Sequence, residues 1–387
     1  MFSHAQLSQH GFIRSYWGAF HQDGDYAVMQ NTFDWKLDYA KGVYSFYANP
    51  VFNYNGLNQE LNILLRQIYI DFFFEHFDLR IGKQQVIWGK ADGVFITDVI
   101  SPRDLSEFIL PEFEEIRIGV DAVKLNYYLG NSTIETVWIP RFQKTISPEE
   151  NSPWQPTQAN ATSMQTTFDY SKAEVENSLP NSELALRYSY LGSSLDFDVM
   201  ATYLWDDNPA MHIYFQPDSV IIQPKYHRLP MFGLSFGKAI GGAVFRSESA
   251  YYFHKKFASD FNDNAVTEKD YVHYLIGYDH NWMGVNVSFQ FIQEYILDYD
   301  NAIFNDRFSN TFTFLVSKSF FRETLTFDLL GYYGIENEDA LLRPKIVYDF
   351  ADGINVILGA NIFLGNQGNF GQFDENDMTY LKLKYNF

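Results

Sequence analysis

Polar and apolar positions alternate at the end of the chain. Tyr380, Lys382, Lys384 and Asn386 share one face of a strand and Leu381, Leu383, Tyr385 and Phe387 the other, because strand side chains repeat with period two. The pattern recurs in residues 33–39, 195–203, 285–291, 311–316, 325–329, 342–350 and 354–364. Charge keeps to one face, so that Arg343, Lys345 and Asp349 oppose Leu342, Ile346 and Tyr348. Tight turns rich in glycine and asparagine fall at 40–42, 129–131, 191–193, 241–242, 281–284 and 351–353. Longer polar connections lie at 22–29, 54–59, 89–115, 143–181, 206–228, 255–268, 297–308 and 365–376. The 206–228 stretch carries enough apolar residues for an extra hairpin, whereas 143–181 is too polar to hold a core and reads as a mobile loop. Strands joined alternately by short turns and long loops predict an all-β fold, a transmembrane antiparallel up-and-down β-barrel of about 18 strands, with 16 as the fallback count. A soluble sandwich has no reason to sort its connections by length.

Aromatics make up 18% of the 387 residues and mean hydropathy is −0.24, yet no run approaches the roughly 18 apolar residues of a membrane helix. That combination excludes a helical membrane protein. It suits a barrel, whose lipid-facing residues are interleaved with lumen-facing polar ones and whose aromatics form girdles at the two interfaces. The net charge of −20 argues against nucleic acid as a partner, since phosphate binding needs a basic face. With no cysteine in the chain, neither a disulfide framework nor thiolate chemistry is available.

A chain that stops on an aromatic at the end of an alternating strand resembles the closing strand of bacterial outer-membrane barrels. The resemblance implies one barrel domain over residues 6–387, with both termini periplasmic and strand one (about Gly11 to Phe20) pairing with the last. Ser3-His4-Ala5 before Gln6 has the small-x-small look of a signal-peptidase site, so residues 1–5 are expected to be a signal-peptide remnant.

Residues 79–115 carry an Arg-x-Gly-x-Gln strand leading into Trp-Gly-x-Ala-Asp-Gly. They resemble an uncharacterised family of porin-like outer-membrane proteins of Gram-negative bacteria. The matching positions are Arg80, Gly82, Gln85, Trp88, Gly89, Ala91, Asp92, Gly93, Asp98, Pro102, Asp104, Glu107 and Phe108, with a weaker match at Tyr226-His227-Arg228-Leu229-Pro230. The chain departs from the family pattern after Glu115, where Arg117-Ile118-Gly119 runs directly into a strand. The resemblance implies location and architecture and supplies no substrate.

Loop 89–115 holds seven acidic residues, Asp92, Asp98, Asp104, Glu107, Glu112, Glu114 and Glu115, and two basic ones, Lys90 and Arg103, interleaved with apolar residues from Val94 to Leu110. A solvated loop has no use for so much apolar surface. Two arrangements satisfy it: a loop folded inward, leaving carboxylates and Arg103 at a pore constriction, or a small cap on top of the barrel. Strand period places Arg80 with Gly82 but Lys83 with Gln85, and Arg117 with Asp121 but Lys124 with Asn126. A bulge in each strand is therefore expected to keep these charges in the lumen. Arg80, Arg117 and Asp121 then either face the loop across the pore or anchor it by ion pairs. Lys36, Arg343, Lys345, Lys382 and Lys384 are further pore-lining candidates. Lys or Arg turned to lipid at the midplane costs roughly 2–4 kcal/mol, which fixes the orientation of those strands.

The nine histidines show no metal-ligand spacing. There is no phosphate-binding loop, and Asp279-His280 beside a turn is expected at the periplasmic end, away from the loops. The pattern predicts no enzyme and no cofactor, but a passive channel for small hydrophilic solutes, favouring cations or polyols over anions. The alternative is a dedicated pore for a hydrophobic or polymeric substrate working with periplasmic partners. Outer-membrane lipid and small solutes are the expected partners, with a homotrimer left open.

Overall fold

The computed structural model describes residues 6–91, 93–156, 165–260 and 263–387; the signal-peptide expectation for residues 1–5 lies outside them. Alternating sequence becomes strand throughout. The first seven are β1 (Gln6–Phe20), β2 (Tyr26–Lys41), β3 (Tyr44–Asn55), β4 (Glu60–Phe73), β5 (Phe77–Gln84), β6 (Val120–Leu129) and β7 (Ser132–Ile139). After the short β8 (Gln165–Phe168) come β9 (Glu183–Leu191) and β10 (Leu195–Trp205), then β11 (Ala210–Phe215) and β12 (Ser219–Lys225). The remainder are β13 (Arg228–Ile240), β14 (Ala243–Ala258), β15 (Val266–Trp282), β16 (Val285–Ile296), β17 (Phe308–Phe320), β18 (Leu325–Gly334), β19 (Asp339–Ala351), β20 (Ile354–Leu364) and β21 (Met378–Asn386).

All but β8, β11 and β12 form one antiparallel sheet of 18 strands. It closes where β1 pairs with β21, from Phe12↔Asn386 to Phe20↔Met378, and the backbones of Gly11 and Phe387 exchange two hydrogen bonds of 3.1 Å. Closure leaves no free edge, as a membrane barrel requires. Tyr380 and Lys382 are buried, whereas Leu381, Leu383 and Tyr385 on the opposite face are exposed, so the greasy face of β21 points outward and the wet face inward. Tight turns lie at one end of the barrel, together with Gln6, which pairs with Ala40 beside the first turn, and with Tyr385, which pairs with Ile354 beside the last. The long connections lie at the other end.

Three expectations need correction. First, β5 and β6 pair without a register shift from Phe77↔Tyr127 to Gln84↔Val120, so neither strand carries the bulge. Register shifts lie instead in β1–β2, β3–β4, β14–β15 and β19–β20, the one in β3–β4 falling between Asn49 and Pro50; proline has no N–H to give the ladder. At the top of β5, Gly82 adopts φ +136°, and a Cβ there would sit 2.3 Å from the Ile68 carbonyl oxygen. Second, the 143–181 connection holds more structure than its polarity implies. Trp154 is buried against Phe20, Phe363 and Phe373, and β8 pairs in parallel with β12. Residues 157–164 of that stretch lie outside the described ones. Third, the strands reach further than expected, β1 starting at Gln6 and β14 running on to Ala258. The extra hairpin expected in 206–228 is present as β11–β12.

Candidate functional site

The chain between β5 and β6 enters the barrel. Its contacts prove the point, because they reach strands around the whole circumference. Near the start, the Trp88 indole N–H donates to the Glu135 carboxylate of β7. Lys90 pairs with Asp198 of β10 at 2.5 Å, and its backbone N–H donates to Glu248 of β14, which also accepts the Thr97 hydroxyl at 2.9 Å. The Tyr332 hydroxyl of β18 donates to the Gly93 carbonyl at 3.0 Å. Gly93 has φ +81°, and a Cβ would meet that hydroxyl at 2.5 Å, so only glycine passes beneath it. Arg343 of β19 donates to the Ile109 and Leu110 carbonyls at 3.1 and 2.6 Å. At the far end, the one-turn helix α1 (Phe113–Ile116) presents Glu114 to Lys36 of β2 at 2.6 Å and Glu115 to Arg14 of β1 at 2.9 Å.

Apolar residues glue the loop to the wall. Ile96, Ile100 and Leu110 are buried: Ile96 against Met231, Leu275 and Ile292, Ile100 in a cluster with Val137 and Met200, and Leu110 among Tyr16, Tyr332 and Leu341. Phe108, at φ +55°, packs on Phe363, Phe370 and Phe373. The base of the loop is tied by Gln85, whose amide donates to the Glu114 and Arg117 carbonyls at 2.9 and 2.6 Å.

Two polar cavities flank the loop. The larger, about 560 Å³, lies against β1–β4 and β21 and is lined by Arg14, Arg66, Lys382, Asp104, Glu107 and Glu115, with Glu60 and Glu149 at its margin. The smaller, about 280 Å³, faces β10 and β13–β16; its charged lining is Asp98, Arg103, Asp206, Asp207, Lys255 and Glu294. Carboxylates outnumber cations in both. Burial, reinforced by Glu115, raises the Glu107 carboxyl. Burial pushes Glu115 the same way, but Arg14 overcomes it and leaves that carboxyl below its ordinary range. Asp98, which pairs with Arg117 at 2.6 Å, is raised by burial despite that partner.

Of the sequence-predicted residues, Glu107, Glu114 and Glu115 come together with the β1–β2 wall. Glu112 caps α1, its carbonyl accepting the Glu115 N–H at 2.8 Å. Asp104 bonds the Ser106 hydroxyl at 2.6 Å beneath the larger cavity. Arg103 and Arg117 lie over the Phe95 ring, each at 5.3 Å. Asp92 lies outside the described residues. Arg80 does not reach the loop; it pairs with Asp71 at 2.7 Å within the wall and stacks on Tyr69. Lys345 likewise pairs with Asp328 at 3.5 Å. Lys382 lies over Tyr16 and Tyr380, and Lys384 over Phe12. Asp121 is displaced altogether: in the unbulged ladder it pairs with Lys83 and shares the outward face of Val123 and Leu125, not the face of Lys124.

Sequence reasoning missed Arg14 and Arg66. Alternation contained the signal for Arg14, since Phe12, Arg14 and Tyr16 oppose Ile13, Ser15 and Trp17, but aromatics on both faces obscured it. Arg66 sits at the β3–β4 bulge, where period two fails; its guanidinium pairs with buried Asp34.

Comparison with known proteins follows the same lines. No curated protein matches the sequence. Among solved structures, OccK8 (OprE) of Pseudomonas aeruginosa is 9% identical with a TM-score of 0.60, covering 99% of this chain and 98% of its own. OccAB2 of Acinetobacter baumannii is 11% identical with a TM-score of 0.58, over 99% and 98%. OccAB3 of the same organism is 10% identical, at 0.57 over 99% of each chain. At such identities the likeness shows the fold, a closed 18-stranded barrel of the outer-membrane porin type. A family model matches residues 25–387, and the chain accordingly belongs to the family described as "Protein of unknown function (DUF1302)".

Proposed function

We propose that the protein is an outer-membrane channel for passive diffusion of small hydrophilic solutes, narrowed by the charged loop 89–115, with the tight turns and both termini periplasmic. The observation that carries this reading is a loop held across the lumen with polar cavities on both sides. A sheet of 16–18 strands encloses an aqueous channel, and a loop that fills only part of it narrows the path without sealing it. The alternative of a pore for a hydrophobic or polymeric substrate drew on the apolar residues of the loop. Ile96, Ile100 and Leu110 are spent on the wall, so that reading gains no support.

Selectivity follows from the linings. The larger cavity sets five carboxylates against three cations, and two of those cations, Arg14 and Arg66, are held by Glu115 and Asp34. Rings of unbalanced charge set ion preference. Reversal potentials of the reconstituted barrel in a salt gradient are expected to show cation preference at neutral pH. As pH falls, Glu107 takes a proton before Glu115, because its carboxyl is raised and that of Glu115 lowered, so cation preference weakens first through Glu107. Anion preference at neutral pH contradicts the proposal.

A further inference from the structure

The wall of the larger cavity on β2, β3 and β4 differs from the rest of the lumen. Elsewhere inward charges pair along the sheet, as in Arg80–Asp71, Arg187–Glu135 and Arg246–Asp279. Here, beside the Arg66–Asp34 pair, inward amides stand in register: Gln30 opposite Asn55, and Asn53 opposite both Thr32 and Asn62. All of them line the cavity. Their hydrogen-bonding capacity is largely unspent. The Gln30 carbonyl accepts Arg14 and Thr32, and the Asn55 carbonyl accepts the Leu57 N–H, which leaves both NH2 groups free. The side chains of Asn53 and Asn62 make no hydrogen bond among the described residues, and the Asn53 carbonyl oxygen is buried without a partner.

We propose that this amide ladder is a binding subsite for neutral polyhydroxylated solutes of about the size of a monosaccharide. The inference rests on the channel reading and gives it a substrate class. A carboxamide carries two donors and an acceptor, which matches a hydroxyl group that both gives and takes a proton. Successive amides along and across the strands offer the next hydroxyl a partner as the last is released. The excess of carboxylates around the same cavity disfavours an anionic ligand, and the positive groups nearest the ladder are occupied, Arg14 by Glu115 and Arg66 by Asp34. A site built to bond hydroxyls discriminates against solutes that lack hydroxyl donors, because the buried Asn53 carbonyl oxygen is then left unpaired.

The test is the swelling of liposomes containing the full-length barrel, in a hexose and in a polyethylene glycol of equal hydrodynamic radius. Wild type is expected to pass the hexose faster. In Asn53→Ala/Asn62→Ala that preference is expected to fall by about tenfold, the worth of one or two net hydrogen bonds. Asn62→Ala alone, at an exposed position that leaves the strand intact, is expected to show part of the loss. Equal rates for the two solutes in a wild-type barrel that conducts ions overturn the inference and leave the channel standing. A preference unchanged in both variants overturns the assignment to the ladder. A barrel that passes neither ions nor solute removes the channel reading and this inference with it.

Discussion

Replacing residues 92–111 by a short Gly/Ser linker raises the single-channel conductance of the reconstituted barrel several-fold. The effect is expected to be large because, on the channel reading proposed above, this segment narrows the lumen. Leu110 and Phe108 cover the wall from β18 to β21, and Ile96 covers it from β13 to β16. The barrel itself should survive. Its 18 strands are joined by their own ladders, and the Trp88–Glu135 contact and α1 lie outside the deletion. A flexible linker contributes little bulk and no fixed geometry. Unchanged conductance in a folded deletion variant places the narrowest point elsewhere, and the loop then only braces the wall.

Arg14→Ala destabilises the protein more than Lys36→Ala, although each removes one cation that pairs with a carboxylate of α1. The difference lies in burial. Arg14 and Glu115 are 9% and 18% exposed in their side chains, whereas Glu114, the partner of Lys36, is 46% exposed. Breaking a fully buried pair costs roughly 3–5 kcal/mol and an exposed one about 1 kcal/mol or less. Arg14→Ala, in a hydrated lumen, should fall between these limits at about 2 kcal/mol. It also leaves Glu115 beside Glu107 without its main cation, so the two carboxylates repel. Urea unfolding in detergent micelles, followed by heat-modifiable mobility, measures both variants. Equal losses contradict the assignment of Glu115 as the buried anchor of α1.

The fold was legible because a membrane barrel writes its rules into every strand. Period two and the sorting of turns from loops located the 18 strands, and the closing pair β1–β21 followed from the final nine residues. That loop 89–115 packs on the barrel was legible from its excess of apolar residues, which a solvated connection does not carry, whereas the same excess fitted an inward fold and a cap alike. Legibility stopped where the period is broken. Pro50 forces a shift in β3–β4 that hides Arg66, and the supposed shift in β5–β6 does not occur, so Asp121 was assigned to the wrong face. Partner choice was also hidden: Arg80 and Lys345 look like free lumen charges in the sequence, and only the lateral strand order gives them Asp71 and Asp328. The amide ladder escaped notice because Asn and Gln carry no charge to attract attention, and its members are spread over three strands.

The most direct test of the account is the single-channel conductance of the wild-type barrel, refolded and inserted in a planar bilayer. An open lumen narrowed by a fixed loop predicts steady, ohmic openings of uniform size. A correctly folded barrel that inserts and stays electrically silent contradicts it, because the loop would then plug the lumen and passage would require a partner to move it.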